Sequence, residues 1–197
     1  LGIDETHADF GNRVIVNDAG MAAHATHVAG VIAGDGRKSK GSDSFGQLNQ
    51  GTEAYQWRGM APQAQLIDAD GNTSNNAATL FGYIHSDGMD ISNHSYTYSL
   101  DGVYGDIDTF HDLLMRGDAL NGTSQIPPRL HVYSSGNSGS YPSNHAYGEQ
   151  ELGYFSLSKQ SKNGLMVGNF DPFTPQINPT SSLGPAHDGR IKPDVVA

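Results

Sequence analysis

The chain has 197 residues, 36% of them hydrophobic, with 25 Gly and 9 Pro; this is the length of one ordinary domain, built of short elements and many turns rather than a helical bundle. Its 21 acidic against 11 basic residues give a formal charge of −10, which opposes phosphate backbones and anionic lipid surfaces and sets nucleic acid and membrane aside as partners. The absence of cysteine excludes disulfide staples, thiolate metal sites and a cysteine nucleophile, and no apolar run approaches the roughly 20 residues that span a bilayer.

The opening Leu1-Gly2-Ile3-Asp4 reads as the end of a buried strand, so the chain is expected to begin in mid-domain, and no signal peptide is visible. Thr26 to Ala33 is rich in Val, Ile and Ala and stops at Gly34-Asp35-Gly36, a helix with a terminator. Residues 35–58 are polar and Gly-rich without an apolar period, which predicts a long surface loop. Gln65 to Ala69 follows as a short strand. Ala77, Leu80, Phe81 and Ile84 lie on one helical face behind the capping candidates Asn75 and Asn76. Met89 to Ser95 reads as a strand, and Ile107, Phe110 and Leu114 mark a second amphipathic helix beginning near Asp106. Leu130 to Ser135 and Leu165 to Gly168 complete the strands, the first ending in the turn Gly136-Asn137-Ser138-Gly139.

Strands alternating with helices predict an α/β fold in a single domain over residues 1–197, incomplete at both ends. A three-layer sandwich with a mainly parallel sheet is expected, because the strand runs read as buried on both faces.

The sharpest chemical signal is His24-Ala25-Thr26-His27-Val28-Ala29-Gly30, where a loop meets an apolar helix. It resembles the HGTHVAG segment of the subtilase family of serine proteases, with Ala25 where Gly is usual. Further segments agree in order. Residues 1–10 are similar to the stretch after the family's catalytic aspartate, Gly59-Met60-Ala61-Pro62 to its GVAP turn, Met89 to Ser95 to the strand ending in a substrate-binding serine, and Ser134-Ser135-Gly136-Asn137 to its AAGN segment. Ser181 to Pro185 and Asp188 to Ala197 resemble the stretch that precedes the GTSMA nucleophile segment.

The resemblance implies a subtilisin-like fold and a secreted serine endopeptidase acting on polypeptide substrates through an Asp-His-Ser triad. His24 is then the general base, suited by an imidazole that exchanges protons near neutral pH, and Asn137 the oxyanion donor. Ser95, Tyr96 and Thr97, with Ser135 and Gly136, would line the substrate path, the first three as an edge to which an extended peptide adds. The alignment puts the triad aspartate just before Leu1 and the serine beyond Ala197, leaving Asp4 and Asp9 poor candidates for the acid. The alternative reading is a subtilase-like module that has lost catalysis and serves binding or structure.

No cofactor is required by this chemistry and no metal ligand set is assigned; calcium is allowed as a structural ion near Asp9. His24 and His27 alone lack a third ligand at a supporting spacing, and His27 reads as a packed or hydrogen-bonded side chain. Ser124 follows Gly122-Thr123 but precedes Pro127-Pro128, which prevents the helix start a nucleophile needs. Asn93 fits a glycosylation pattern, as do Asn72 and Asn121, but is expected to be buried in its strand. The sequence leaves the oligomeric state open.

Overall fold

Val14–Val16 (β1) and Leu66–Asp68 (β2) form a parallel pair in register Val14↔Leu66, Ile15↔Ile67 and Val16↔Asp68. Between them runs the helix Ala23–Ala33 (α1). The computed structural model describes residues 2–17, 20–42, 46–69, 82–84, 86–97, 103–118, 125–140, 144–145, 148–149 and 155–197. It divides into two compact units, Leu1–Ser74 and Asn75–Ala197.

In the first unit the residues around α1 are placed by backbone hydrogen bonding. A helix leaves its last carbonyls without intrahelical partners. Here the backbone N–H groups of Gly59, Met60 and Ala61 donate to the carbonyls of Gly34, Val31 and Ile32 at 2.8, 3.2 and 2.7 Å. That is the physical reason for a Gly59-Met60-Ala61 turn ahead of β2: a Cβ on Gly59 would lie 2.6 Å from the Gly30 carbonyl oxygen. Arg13 ties the same region by donating to the carbonyls of Asp9, Ala33 and Ala64, each at 2.8 Å. Residues 35–58 contain no helix and only an isolated bridge, Ser42↔Leu48, among the described residues, as the expected loop requires.

The second unit is built on a four-stranded parallel sheet of order β10-β7-β4-β3, from Ile91–His94 (β3), Leu130–Ser134 (β4), Leu165–Gly168 (β7) and Val195–Val196 (β10). Asn144–His145 (β5) with Gly148–Glu149 (β6), and Phe170–Asp171 (β8) with Gln176–Ile177 (β9), make small antiparallel pairs. The helix Asp106–Arg116 (α2) lies in the chain between β3 and β4 and packs against the sheet. Of the helix expected over Ala77 to Ile84, residues 82–84 are helical and the others lie outside the described residues. β1 and β10 are strands that sequence pattern did not single out.

Burial along the strands alternates. Ser92 and His94 point inward on β3 while Ile91 and Asn93 point outward, and β4 repeats the pattern with His131 and Tyr133 inside. The expected burial on both faces is therefore not met by the described residues: Ile91, Leu130, Val195 and Val196 are exposed. Asn93, expected inside, is exposed because successive side chains of a strand face opposite sides and His94 takes the inner position.

The segment ahead of β7 depends on two carboxylates of α2. Asp112 accepts from the Ser161 hydroxyl (2.7 Å), the Tyr104 hydroxyl (2.8 Å), and the backbone N–H groups of Asn163 (2.8 Å) and Lys162 (3.0 Å). Asp108 takes the N–H of Gln160 at 2.8 Å and, at the helix start, that of Gly105 at 3.1 Å. Both are buried. Burial pushes the Asp112 carboxyl up, but the Asn163 N–H, the Ser161 hydroxyl and the Lys162 N–H outweigh it, and the group lies below its ordinary 3.8.

Asp112→Ala removes the acceptor of four donors at once, the buried Ser161 hydroxyl among them, and is expected to lower stability by about 3 kcal/mol in urea denaturation at pH 7. The folded carboxyl holds its proton less readily than the unfolded one. Its stabilisation is thus complete at neutral pH and is lost as pH falls through about 4 and below. The wild type should lose more stability over that range than Asp112→Asn; equal losses would remove Asp112 as the cause.

Candidate active site

His24 occupies the second position of α1, one residue after Ala23. The helix has no side-chain cap at Ala22, but Thr26 binds back from within its first turn: its hydroxyl donates to the Ala22 carbonyl (3.1 Å) and accepts the N–H of Asp4 (2.9 Å). Gly2 forms a parallel bridge with Met21, its N–H on the Gly20 carbonyl at 2.7 Å and its own carbonyl accepting from Ala22 at 2.8 Å. The approach is close enough that a Cβ on Gly2 would sit 2.3 Å from Asp68 Oδ2. That buried Asp68 carboxylate accepts the N–H of Ile3 at 3.0 Å. Residues 2–4 are in this way laced to the first turn of the helix that carries His24, and His24 itself is exposed.

Asp4 and Asp9 are engaged elsewhere. Asp4 accepts from the N–H and hydroxyl of Thr6 in a local turn, and Asp9 Oδ1 accepts the N–H of Lys38 at 2.9 Å, holding the start of the long loop. His27, expected to be packed or hydrogen-bonded, is exposed, since α1 turns Ala29 and Ala33 inward.

Asn137 belongs to the second unit and lies in the turn that follows β4. Ser135, Gly136 and Ser138 hold that turn to Ser158, Ser181 and Ser182. Ser135 is buried; its N–H donates to the Val167 carbonyl, its carbonyl accepts from Ser158 N–H, and its hydroxyl meets that of Ser181 at 3.3 Å. The Gly136 carbonyl accepts from Ser182 N–H at 3.0 Å, and the Ser182 hydroxyl accepts from Ser138 N–H at 2.9 Å. Gly136 has φ +115°, and a Cβ there would lie 2.7 Å from the Ser182 hydroxyl, so this position admits only glycine without strain. With its neighbours so held, Asn137 is left exposed at the tip. Ser135 thus contributes by fixing the turn.

Ser95, Tyr96 and Thr97 follow β3, which ends the described strand order. Ser95 accepts from Asn93 Nδ2 at 2.9 Å. The Tyr96 ring is half-buried and its hydroxyl is turned onto His94 Nδ1 at 2.7 Å, with Lys159 Nζ 5.8 Å from the ring centre. Thr97 is exposed. Ser124 lies outside the described residues.

One group of side chains was not singled out in the sequence. His94 on β3, His131 on β4 and His111 on α2 meet in the interior. Their signal was faint: each is a polar residue at a position whose period demands an apolar one.

The chain matches the subtilase family over residues 2–197. The chain belongs to the subtilase family. No curated protein matches it. Among solved structures it is similar to that of the prenylagaramide maturation protease PagA, with a TM-score of 0.60 at 18% identity. The alignment covers 98% of this chain and 63% of that one, so the chain spans less than two thirds of the solved protein. At that identity the likeness shows the fold, an α/β arrangement around a mainly parallel sheet as expected. The matched residues include His24 and Asn137.

Gly136→Ala in this subtilase should cost about 2 kcal/mol, from the left-handed backbone and the encroachment on Ser182. Urea denaturation measures it; an unchanged midpoint would mean that the Asn137 turn relaxes freely.

Proposed function

We propose that this chain supplies the general base and the oxyanion donor of a serine endopeptidase, with His24 and Asn137 in those roles. What carries the reading is the family match over residues 2–197, which takes in the His24 and Asn137 segments together. The local structures support it: His24 stands exposed in the first turn of a helix, and Asn137 stands exposed at the tip of a turn whose backbone is already bonded on both sides.

In the full chain an aspartate next to Leu1 would orient the imidazole, consistent with the pairing of Gly2 to Met21 three residues before His24. A serine beyond Ala197 would attack the scissile carbonyl, its proton passing to His24 and then to the leaving amine. The tetrahedral oxyanion would receive the Asn137 side-chain amide. A donor held in place before the reaction stabilises the transition state without reorganising at that moment, and the bonds from Ser135, Gly136 and Ser138 provide that rigidity. Substrate would be a polypeptide laid along Ser95 to Thr97. Because the Tyr96 side chain is turned inward, its part there falls to the backbone.

A fluorophosphonate probe on the full chain tests this directly. Labelling of the wild type that disappears in His24→Ala is the expected result. A folded wild type that fails to label would instead identify a binding or structural module without catalysis. Asn137→Ala should lower kcat by about 100- to 1000-fold with little change in KM, the loss known for the corresponding asparagine of a subtilisin. A change confined to KM would reassign Asn137 to ground-state binding.

A further inference from the structure

We propose that His94, His111 and His131 form a structural site for a first-row divalent cation of the zinc type, clamping α2 to the β3–β4 edge of the sheet. The three lie wholly inside the second unit, 2%, 1% and 0% exposed. One nitrogen from each falls within 4.8 Å of the other two. The Nδ1 atoms of His111 and His131 are 3.0 Å apart. In a tetrahedral zinc site, Zn–N bonds of about 2.0–2.1 Å place neighbouring nitrogens about 3.3–3.4 Å apart. The His111–His131 pair therefore already stands within a few tenths of an ångström of a shared-cation geometry. His94 needs a shift of the order of an ångström, within reach of a side-chain rotation.

His94 is bracketed by the Ser92 hydroxyl at Nε2 and the Tyr96 hydroxyl at Nδ1, each at 2.7 Å. Whichever nitrogen binds a cation, the other keeps an oxygen partner that orients the ring, as ligating histidines usually have. Its ring stacks on Tyr133 at 4.8 Å between centres. Across the His111–His131 contact only one ring donates, and in either arrangement His131 Nε2 stays buried without a hydrogen-bond partner among the described residues. Hydrogen bonding alone leaves the cluster unfinished, which is uncommon for groups buried this deeply.

Burial holds all three imidazoles neutral, His111 down at about 3, His131 at about 4 and His94 well below its ordinary value, so their lone pairs are present at neutral pH. Three imidazoles without a carboxylate ligand select zinc, cobalt, nickel or copper over calcium or magnesium. The opposing charge is Lys159, whose ammonium donates to Ser158 and Ser134; Asp112 on α2 offsets it. With no exposed ligand, the cation would enter during folding, giving a structural rather than a catalytic site.

The test is to refold the purified protein with Co2+ in chelator-free buffer and record its visible spectrum and metal content. One Co2+ per chain with tetrahedral d–d absorption, displaced by Zn2+, is expected. His111→Gln and His131→Gln should each weaken binding by about tenfold or more, whereas the double variant His24→Ala/His27→Ala keeps it. Where a cluster variant does not fold, paramagnetic shifts of the histidine ring signals in the wild type locate the ion. Folded wild type that holds no Co2+, binding that survives loss of both His111 and His131, or shifts centred on His24 and His27 overturns the proposal.

Discussion

The second unit depends on the two carboxylates that α2 turns inward. Asp108 and Asp112 collect backbone and side-chain donors from Gln160 to Asn163, the stretch that delivers the chain into β7. A loop in that position would otherwise bury N–H groups with no partner, a cost comparable to losing a hydrogen bond for each. Because α2 supplies the acceptors, Gln160 and Ser161 can be buried. β7 then pairs with β4 in register, and β4 ends just ahead of the turn that holds Asn137.

The first unit solves a similar problem at a helix end. The carbonyls closing α1 receive their donors from Gly59, Met60 and Ala61, so the turn before β2 and the last turn of the helix define each other. At the opposite end, Thr26 and Gly2 tie the incoming chain to the first turn. His24 stands on a helix fixed at both termini. That suits a residue whose proposed task is to pass a proton between partners held at hydrogen-bond distance.

The interior of the second unit is unusually polar. Tyr133, Leu114 and Met166 share it with His94, His111, His131, Lys159, Gln160 and several serines. Such an interior is stable only when its polar atoms are paired. The serines around Asn137 are paired, through Ser135, Ser158, Ser181 and Ser182. Within the histidine cluster, His131 Nε2 has no hydrogen-bond partner among the described residues.

Local pattern alone revealed most of the elements. Val, Ile and Ala in the stretch to Ala33 marked α1, the spacing of Ile107, Phe110 and Leu114 marked α2, and the apolar runs at Leu130 and Leu165 marked β4 and β7, because periodicity is a local property. The segments around His24 and Asn137 were likewise legible, since each is continuous in sequence and its resemblance to the subtilases could be read in order. β10 is not legible in the sequence because two residues of strand carry no period and form only by pairing with β7. Asn93 was misplaced because the choice of face belongs to the pairing register, and His94 fills the inner position. Tertiary structure alone decided that Asp108 and Asp112 would carry a loop some 50 residues away, and that His94, His111 and His131 would meet. Those contacts join residues distant in the chain, and only the close packing of helix on sheet makes them neighbours.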